Sequence, residues 1–498
     1  MRNPLIFAIA ALYGTGSANA ETPDYSLTIY SSAQPGQIST ERLAGYGPSL
    51  PGYALVRDGR KMPLVSGNGV LRFTDVAKRI DPTTVAFESL TDPAGTRVIE
   101  QNYQYDLVSG EKLLERYIGE RISVEQVRGN AVERIDGSLL SAEGGSLILQ
   151  RDNGEVLSLT NVGNVSFPSL PGGLITKPTL VWLVNARKGG SHDTRVSYQT
   201  QGMTWWADYN ITLRESGNGC AMDLSSWVTI VNQSGGSYPA AQLKLVAGEV
   251  NRAPSPQPSP VLMMKARGGV VADEADQGFA ESSLFEYHLY TLGRRSDLPD
   301  NSTKQLELFP SAAGIACRKQ LIFTAAPTPS GYWAQPVSDQ GYGATSQGTV
   351  AAYVEFDNKE ANSLGVPMPA GRMRVNQASV DGSLEFIGED VIKHTPRNES
   401  VRIKLGNSFD VVGERRQTGF TMDSAGKIID ESFEISVRNR KKSAASVVVR
   451  EYLYRWSTWK ITARSHEFDK RDAQTIDFPL NIPADGEAKL TYNVRYTW

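Results

Sequence analysis

Along most of this chain apolar and polar residues alternate with a period of two, the pattern of strands that bury one face. Tyr25-Ser26-Leu27-Thr28-Ile29-Tyr30 shows it first, and similar runs follow at Tyr53–Arg57, Val70–Phe73, Thr84–Leu90 and Val98–Tyr105. Breaks such as Asp58-Gly59 and Asp92-Pro93 separate them, because Asp, Gly and Pro suit backbone angles that strands avoid. Residues 21–108 therefore predict an antiparallel β-domain. One short helix is predicted next. Ser109 is its cap, Glu111 suits the positive end of the helix dipole, and Leu113, Leu114 and Tyr117 share a face.

Between Gly119 and Pro168 come five short strands: Arg121–Val127, Gly137–Ser141, Ser146–Gln150, Val156–Leu159 and Gly163–Phe167. Joined by tight turns such as Asn153-Gly154, they predict a small SH3-like or Sm-like barrel over 109–172. Longer strands resume over 173–424, including Thr179–Asn185, Thr194–Gln201, Ala207–Leu213, Ser225–Asn232, Gln242–Ala247 and Leu284–Leu292. Two stretches interrupt them. The first, 251–282, opens on alternating prolines (Pro254, Pro256, Pro258, Pro260); the second, 327–348, carries Tyr332, Trp333 and Tyr342. Both read as mobile loops that bury too little apolar surface to order themselves. The last strands, over 425–498, have the spacing of an immunoglobulin-like sandwich. The expected fold class is all-β: several antiparallel β-sandwich domains, the small barrel and the C-terminal immunoglobulin-like sandwich. No period of roughly 20–50 residues repeats, which argues against a solenoid or propeller.

The first twenty residues break this pattern. Arg2 precedes an apolar core from Leu5 to Tyr13, and Ala18-Asn19-Ala20 stands just before Glu21. That is a secretory signal peptide over 1–20, too short to span a bilayer. No later apolar run approaches the ~18 residues of a membrane span, so no transmembrane helix is expected. No cysteine stands at the cleavage site to carry a lipid. The formal net charge of −3 gives no electrostatic reason to expect nucleic acid or an anionic membrane as partner. Cys220 and Cys317 would enter an oxidising compartment together, and a disulfide is the favoured reading. The alternative is two separate buried thiols. No C-x-x-C is present to favour redox chemistry.

Tests for reactive groups return little. His192, His288, His394 and His466 lack metal-ligand spacing. His192 follows a Gly-Gly-Ser turn and is expected in solvent, His288 packed on a strand, His394 in a turn and His466 at a strand end. No G-x-S-x-G elbow, phosphate loop or dinucleotide fingerprint occurs. Asp273-Glu274-Ala275-Asp276 reads as a solvated acidic patch, and Arg438, Arg440, Lys441 and Lys442 as a solvated turn. No catalytic, cofactor-binding or metal-ligating residues are therefore assigned. Trp205 and Trp206 are consecutive, so one should face the core and one outward. Tyr332 and Trp333 are the candidate partner-binding residues, because aromatics exposed on a β-scaffold stack on sugars or anchor proteins. Leu490, Tyr492, Val494, Tyr496 and Trp498 alternate strictly. They fit either the terminal strand of an outer-membrane barrel or the edge of a sandwich.

Six segments together resemble a bacterial family of exported proteins of unknown function, related to the mucoidy-inhibitor-A-like proteins. They are Tyr53–Asp58, Ile80–Val85, Thr204–Tyr209, Val231–Gly235, Leu364–Gly371 and Gly406–Val411. The chain lacks the long coiled-coil insert that the mucoidy-inhibitor-like members carry between their N-terminal and central β-regions. The resemblance implies export and β-rich architecture, and supplies no catalytic residues. The leading expectation is a non-enzymatic, envelope-associated binding or scaffold protein of the bacterial periplasm or cell surface, without cofactor, whose partner is an envelope protein or polysaccharide. One alternative is a hydrolase of envelope polysaccharide or peptide, with two carboxylates brought roughly 5–9.5 Å apart by the fold. The other is an outer-membrane β-barrel.

Overall fold

The computed structural model of this protein describes residues 23–31, 36–38, 41, 43–46, 49–128, 131–160, 162–216, 219–248, 250–251, 279–326, 335–379 and 381–498. Sheets built almost wholly from antiparallel pairs make up the fold, as the alternation predicts. An eight-stranded sheet runs Phe279–Leu284, Tyr287–Leu292, Tyr238–Ala247, Asp24–Tyr30, Tyr53–Leu64, Gly190–Gln201 and Ile80–Ser89, with Ser296–Leu298 paired to Tyr238–Ala247. A three-stranded sheet of Gly67–Thr74, Thr179–Ala186 and Thr96–Gln104 packs against it. There Trp182 meets Phe87 of the larger sheet at 5.3 Å between ring centroids. Strands from before residue 108 and after residue 173 thus alternate within both sheets. The segments expected as separate units at 21–108 and 173–424 share one core.

The segment between them stands apart. Its strands order as Val162–Ser166, Arg121–Arg128, Ala131–Glu143, Ser146–Gln150 and Val156–Leu159, around a core of their own that includes Ile122, Val124, Ile135, Leu139 and Leu149. The outer strands of this sheet do not pair with each other, so it stays open where a closed barrel was expected. The helix Gly110–Arg116 leads into it, with the Lys112 amide donating to Ser109 Oγ at 3.2 Å as the capping pattern predicts. The neck is tied by Val108 N–H to the Ile175 carbonyl and Ile175 N–H to the Asp106 carbonyl, at 2.9 and 3.0 Å.

A fourteen-stranded sheet links the rest. Three of its long strands serve two cores. Ala312–Thr324 buries Ile315 and Cys317 in the first and Phe323 in the second; Thr345–Asp357 and Ser400–Asp423 divide in the same way. The C-terminal sandwich therefore begins upstream of the expected boundary at 425, since Phe323, Val350 and Val411 belong to its core. Leu490, Tyr492, Val494 and Tyr496 point into that core, against Phe433 and Phe478. Their alternation is that of a sandwich strand with its apolar face inward. Cys220 and Cys317 are directly opposed on neighbouring strands and form a disulfide with Cα atoms 5.1 Å apart. No helix among the described residues is long and apolar enough to cross a membrane.

Part of the segment 327–348, expected as a loose loop, is held firmly. Arg455 donates to the Val337 and Asp339 carbonyls at 2.7 and 2.8 Å, and Arg415 to the Gly343 carbonyl. Both guanidinium groups are buried, paired with Glu431 and Glu451 respectively. Burial pushes the Glu451 carboxyl up from the ordinary range, against the pull of Arg415 and the Tyr492 hydroxyl. Tyr492 donates to Glu451 at 2.6 Å.

Three fully buried asparagines recur at corresponding places, each at the end of a strand. Asn232 donates to the Gly236, Leu298 and Pro299 carbonyls and accepts from Ser234 N–H. Asn358 donates to the Val366 and Pro396 carbonyls and accepts from Gly365 N–H. Asn439 donates to the Ser443, Ile482 and Pro483 carbonyls and accepts from Lys441 N–H. Each side chain ties its own turn to a later proline-containing one. The strand that follows each then pairs in parallel: Tyr238–Ala247 with Asp24–Tyr30, Gly371–Ala378 with Met203–Ser216, and Ala445–Tyr452 with Ala312–Thr324. Among the described residues these are the three parallel ladders.

Only a short side chain with both donors and an acceptor meets such a site, and lost partners leave buried carbonyls unsatisfied. Asn439→Ala should therefore cost about 3 kcal/mol, at roughly 1 kcal/mol for each of the two amide N–H groups and the carbonyl acceptor lost. Urea unfolding checks this: the midpoint should fall at unchanged slope, and a cost below about 0.5 kcal/mol would contradict it.

Candidate functional site: a polar cleft on the central sheet

The registers of five strands draw a row of polar side chains across one face of the fourteen-stranded sheet. Thr229 is opposite both Trp206 and Gln305; Asp208, two residues beyond Trp206 on the same face, is opposite Arg372; Arg374, two beyond Arg372, is opposite Glu389. Gly371 lets the two strands lie this close, since a Cβ there would meet the Ala207 carbonyl oxygen at 2.5 Å.

A sheet face so placed would be open to solvent, but Ile38, Leu43, Tyr46 and Leu50, from earlier in the chain, lie over it. Ile38 and Leu50 are buried against Trp206 and Val231, with Leu43 and Tyr46 packed beside them. Gln233 donates to the Leu43 carbonyl at 2.7 Å. Between this part of the chain and the sheet lies a cleft of about 420 Å³, within the roughly 300–1,000 Å³ of small-molecule sites. Gly36, Ile38 and Glu41 form one wall; Trp206, Asp208, Thr229, Gln305, Arg372 and Arg374 form the floor and the other wall.

Asp208 is the centre of the charge arrangement and is only 7 % exposed. Its Oδ2 accepts from the Trp206 indole N–H at 2.7 Å. Its Oδ1 lies 3.3 Å from Arg374 Nη1 and 3.9 Å from Arg372 Nε, in ion-pair contact without hydrogen-bond geometry. Both guanidinium groups also face Glu389, at 3.9 and 3.6 Å. Gln305 donates to Thr229 Oγ1 at 3.2 Å. Two cations thus meet three carboxylates, counting Glu41, so the cleft has no positive field to gather anions.

Of the residues singled out from sequence, Trp206 lines the cleft and the histidines do not. Tyr332, Trp333 and Asp273–Asp276 lie outside the described residues, as does most of the stretch 251–282. His192, expected in solvent, is 1 % exposed, because the strand begins pairing at Gly190 and turns its ring inward. Its Nε2 donates to the Lys188 carbonyl at 3.1 Å, leaving Nδ1 to accept from Ser89 Oγ at 2.8 Å. His288 pairs with Glu281 on the neighbouring strand, and His394 Nδ1 accepts from Ala370 N–H. Of the two adjacent tryptophans, expected one in the core and one outward, Trp205 faces the main core and Trp206 is buried as well, against Ile38 and Leu50. Sequence reasoning missed Asp208, Arg372, Arg374 and Gln305. The available signal was Arg-x-Arg and Trp-x-Asp, each at the strand period of two. Among the described residues no cluster of three His, Cys, Asp or Glu side chains could hold a metal ion.

No family model, curated protein or solved structure matches this chain.

The covering segment should be separable from the fold. Ile38→Asp places a charge against Trp206 and should open Gly36–Ile38 and Leu43–Tyr46 to hydrogen exchange and proteolysis, while the global unfolding free energy changes by less than about 1 kcal/mol. Unchanged protection of that segment would contradict its role as a wall of the cleft.

Proposed function

We propose that this protein is an exported, envelope-associated binding or scaffold protein of the bacterial periplasm or cell surface, and that it holds a small polar ligand in the cleft around Asp208 without turning it over. The observation that carries this reading is the cleft itself: about 420 Å³, with polar groups fixed on strands and a separate chain segment closing one side. Sites placed on strands hold their geometry better than sites on loops.

Binding is favoured over hydrolysis by the surroundings of Asp208. Two guanidinium neighbours and an indole donor hold the Asp208 carboxylate in one place, as a group that positions a ligand. Export is supported by the apolar run Leu5–Tyr13 and the Ala18-Asn19-Ala20 site. The resemblance to exported bacterial proteins of unknown function points the same way.

Two measurements test this reading. Protein recovered from the envelope or periplasmic fraction should begin at Glu21 by N-terminal sequencing; an uncleaved chain confined to the cytoplasm would overturn export. Incubation of the purified mature protein with cell-wall and outer polysaccharide fractions should release no new reducing ends. Release that disappears in Asp208→Asn would replace binding by catalysis.

A further inference from the structure

Resting on the binding reading above, we infer that the cleft recognises a neutral, hydroxyl-rich ligand, a saccharide, through a hydroxyl held between Asp208 and Arg372. Two buried atoms at its base have no hydrogen-bond partner: the acceptor Asp208 Oδ1 and the donor Arg372 Nε. They lie 3.9 Å apart. Buried polar atoms in folded proteins are almost always satisfied, so an adjacent orphaned donor and acceptor mark a missing partner.

The chemistry of that partner is restricted. A phosphate or carboxylate brings negative charge on its acceptors: it would satisfy Arg372 Nε and be repelled by Asp208 and its neighbouring carboxylates. An ammonium would satisfy Asp208 and repel Arg372. A hydroxyl accepts from the one and donates to the other at once. The rest of the cleft repeats this mixed character. Gln305 has both donor and acceptor, Glu41 accepts, and Trp206 supplies an apolar surface. With two guanidinium groups against three carboxylates the cleft is left with one excess negative charge, which repels an anion and acts on no charge of a neutral ligand.

The test is isothermal titration calorimetry of the mature protein. Neutral probes are maltotriose, cellotriose, mannotriose and the N-acetylglucosamine trimer; inorganic phosphate and glucuronic acid are the anions, and spermidine the cation. At least one neutral saccharide should bind saturably. Arg372→Lys keeps the charge but loses the Nε–H, and Asp208→Asn keeps the shape but replaces the acceptor. Each should weaken binding about tenfold or more, the scale of one lost charge-assisted bond. Gln305→Ala, on the far side of the cleft and away from the ion pairs, should weaken it as well, which covers the case that either charge variant fails to fold. Phosphate, glucuronic acid or spermidine binding more tightly than every neutral sugar, with the same sensitivity to these variants, would overturn the hydroxyl assignment and leave the cleft a binding site. Saccharide binding unchanged in all three variants would place the sugar elsewhere and overturn the inference. No heat with any probe would overturn both.

Discussion

The fold depends on buried amide side chains that fasten strand ends to distant turns. Asn232, Asn358 and Asn439 each join three or four backbone groups that would otherwise be unsatisfied in the interior. Parallel pairing cannot be made by a tight hairpin; the chain must leave the sheet and return. The excursions carry polar backbone into places where water does not reach. At each of the three, an asparagine supplies the missing donors and acceptor where the excursion begins. The next strand can then enter beside a strand far earlier in the sequence.

The cleft follows from one of these excursions. Asn358 fixes the turn through Gly365 and Val366, and the Tyr209 hydroxyl donates to the Pro369 carbonyl at 2.8 Å. These contacts deliver Gly371–Ala378 beside Met203–Ser216 in the register that sets Arg372 against Asp208. A slip of one residue would turn both arginines to the other face of the sheet. The disulfide works nearby to the same end, joining two of the strands behind that face. Its closed loop of 97 residues is worth about 4–5 kcal/mol in the chain-entropy account. Three strands running through two cores then carry that rigidity into the C-terminal sandwich.

What the sequence disclosed was governed by burial. Asp24–Tyr30 and Glu487–Thr497 announce themselves because one face is buried and the other wet. The same rule cannot say what lies on the wet face. One of Trp205 and Trp206 was expected to face outward; Trp206, on the face away from the main core, is covered by Ile38 and Leu50, more than 150 residues away in sequence. His192 was misread for a related reason: a Gly-rich turn ends just before it, and its partner Ser89 is 103 residues away in sequence. Domain boundaries failed where strands such as Ser400–Asp423 outrun a single core, since alternation continues unbroken across the junction. The asparagines carry no local pattern at all. Their meaning lies in turns 38 to 67 residues later, visible only once the chain is folded.

Orphaned polar atoms alone do not single out a site. Glu431 Oε2 and Arg455 Nε also lack partners, deep in the C-terminal core. There the two ions are completely enclosed, already joined at 2.8 Å through their other atoms, and roofed by the carbonyls of residues 337–342. No ligand could reach them, and buried ion pairs of this kind act by fixing which partners meet rather than by adding net stability. Asp208 and Arg372 differ in lining an open cleft, in meeting across a parallel ladder at a distance too long for a direct bond, and in having a separable segment as the opposite wall. There, unlike at Glu431 and Arg455, the residues that lack partners also border open space. A pair of opposite charges held slightly too far apart, on rigid strands that cannot close the gap, is suited to receive a group that is at once donor and acceptor.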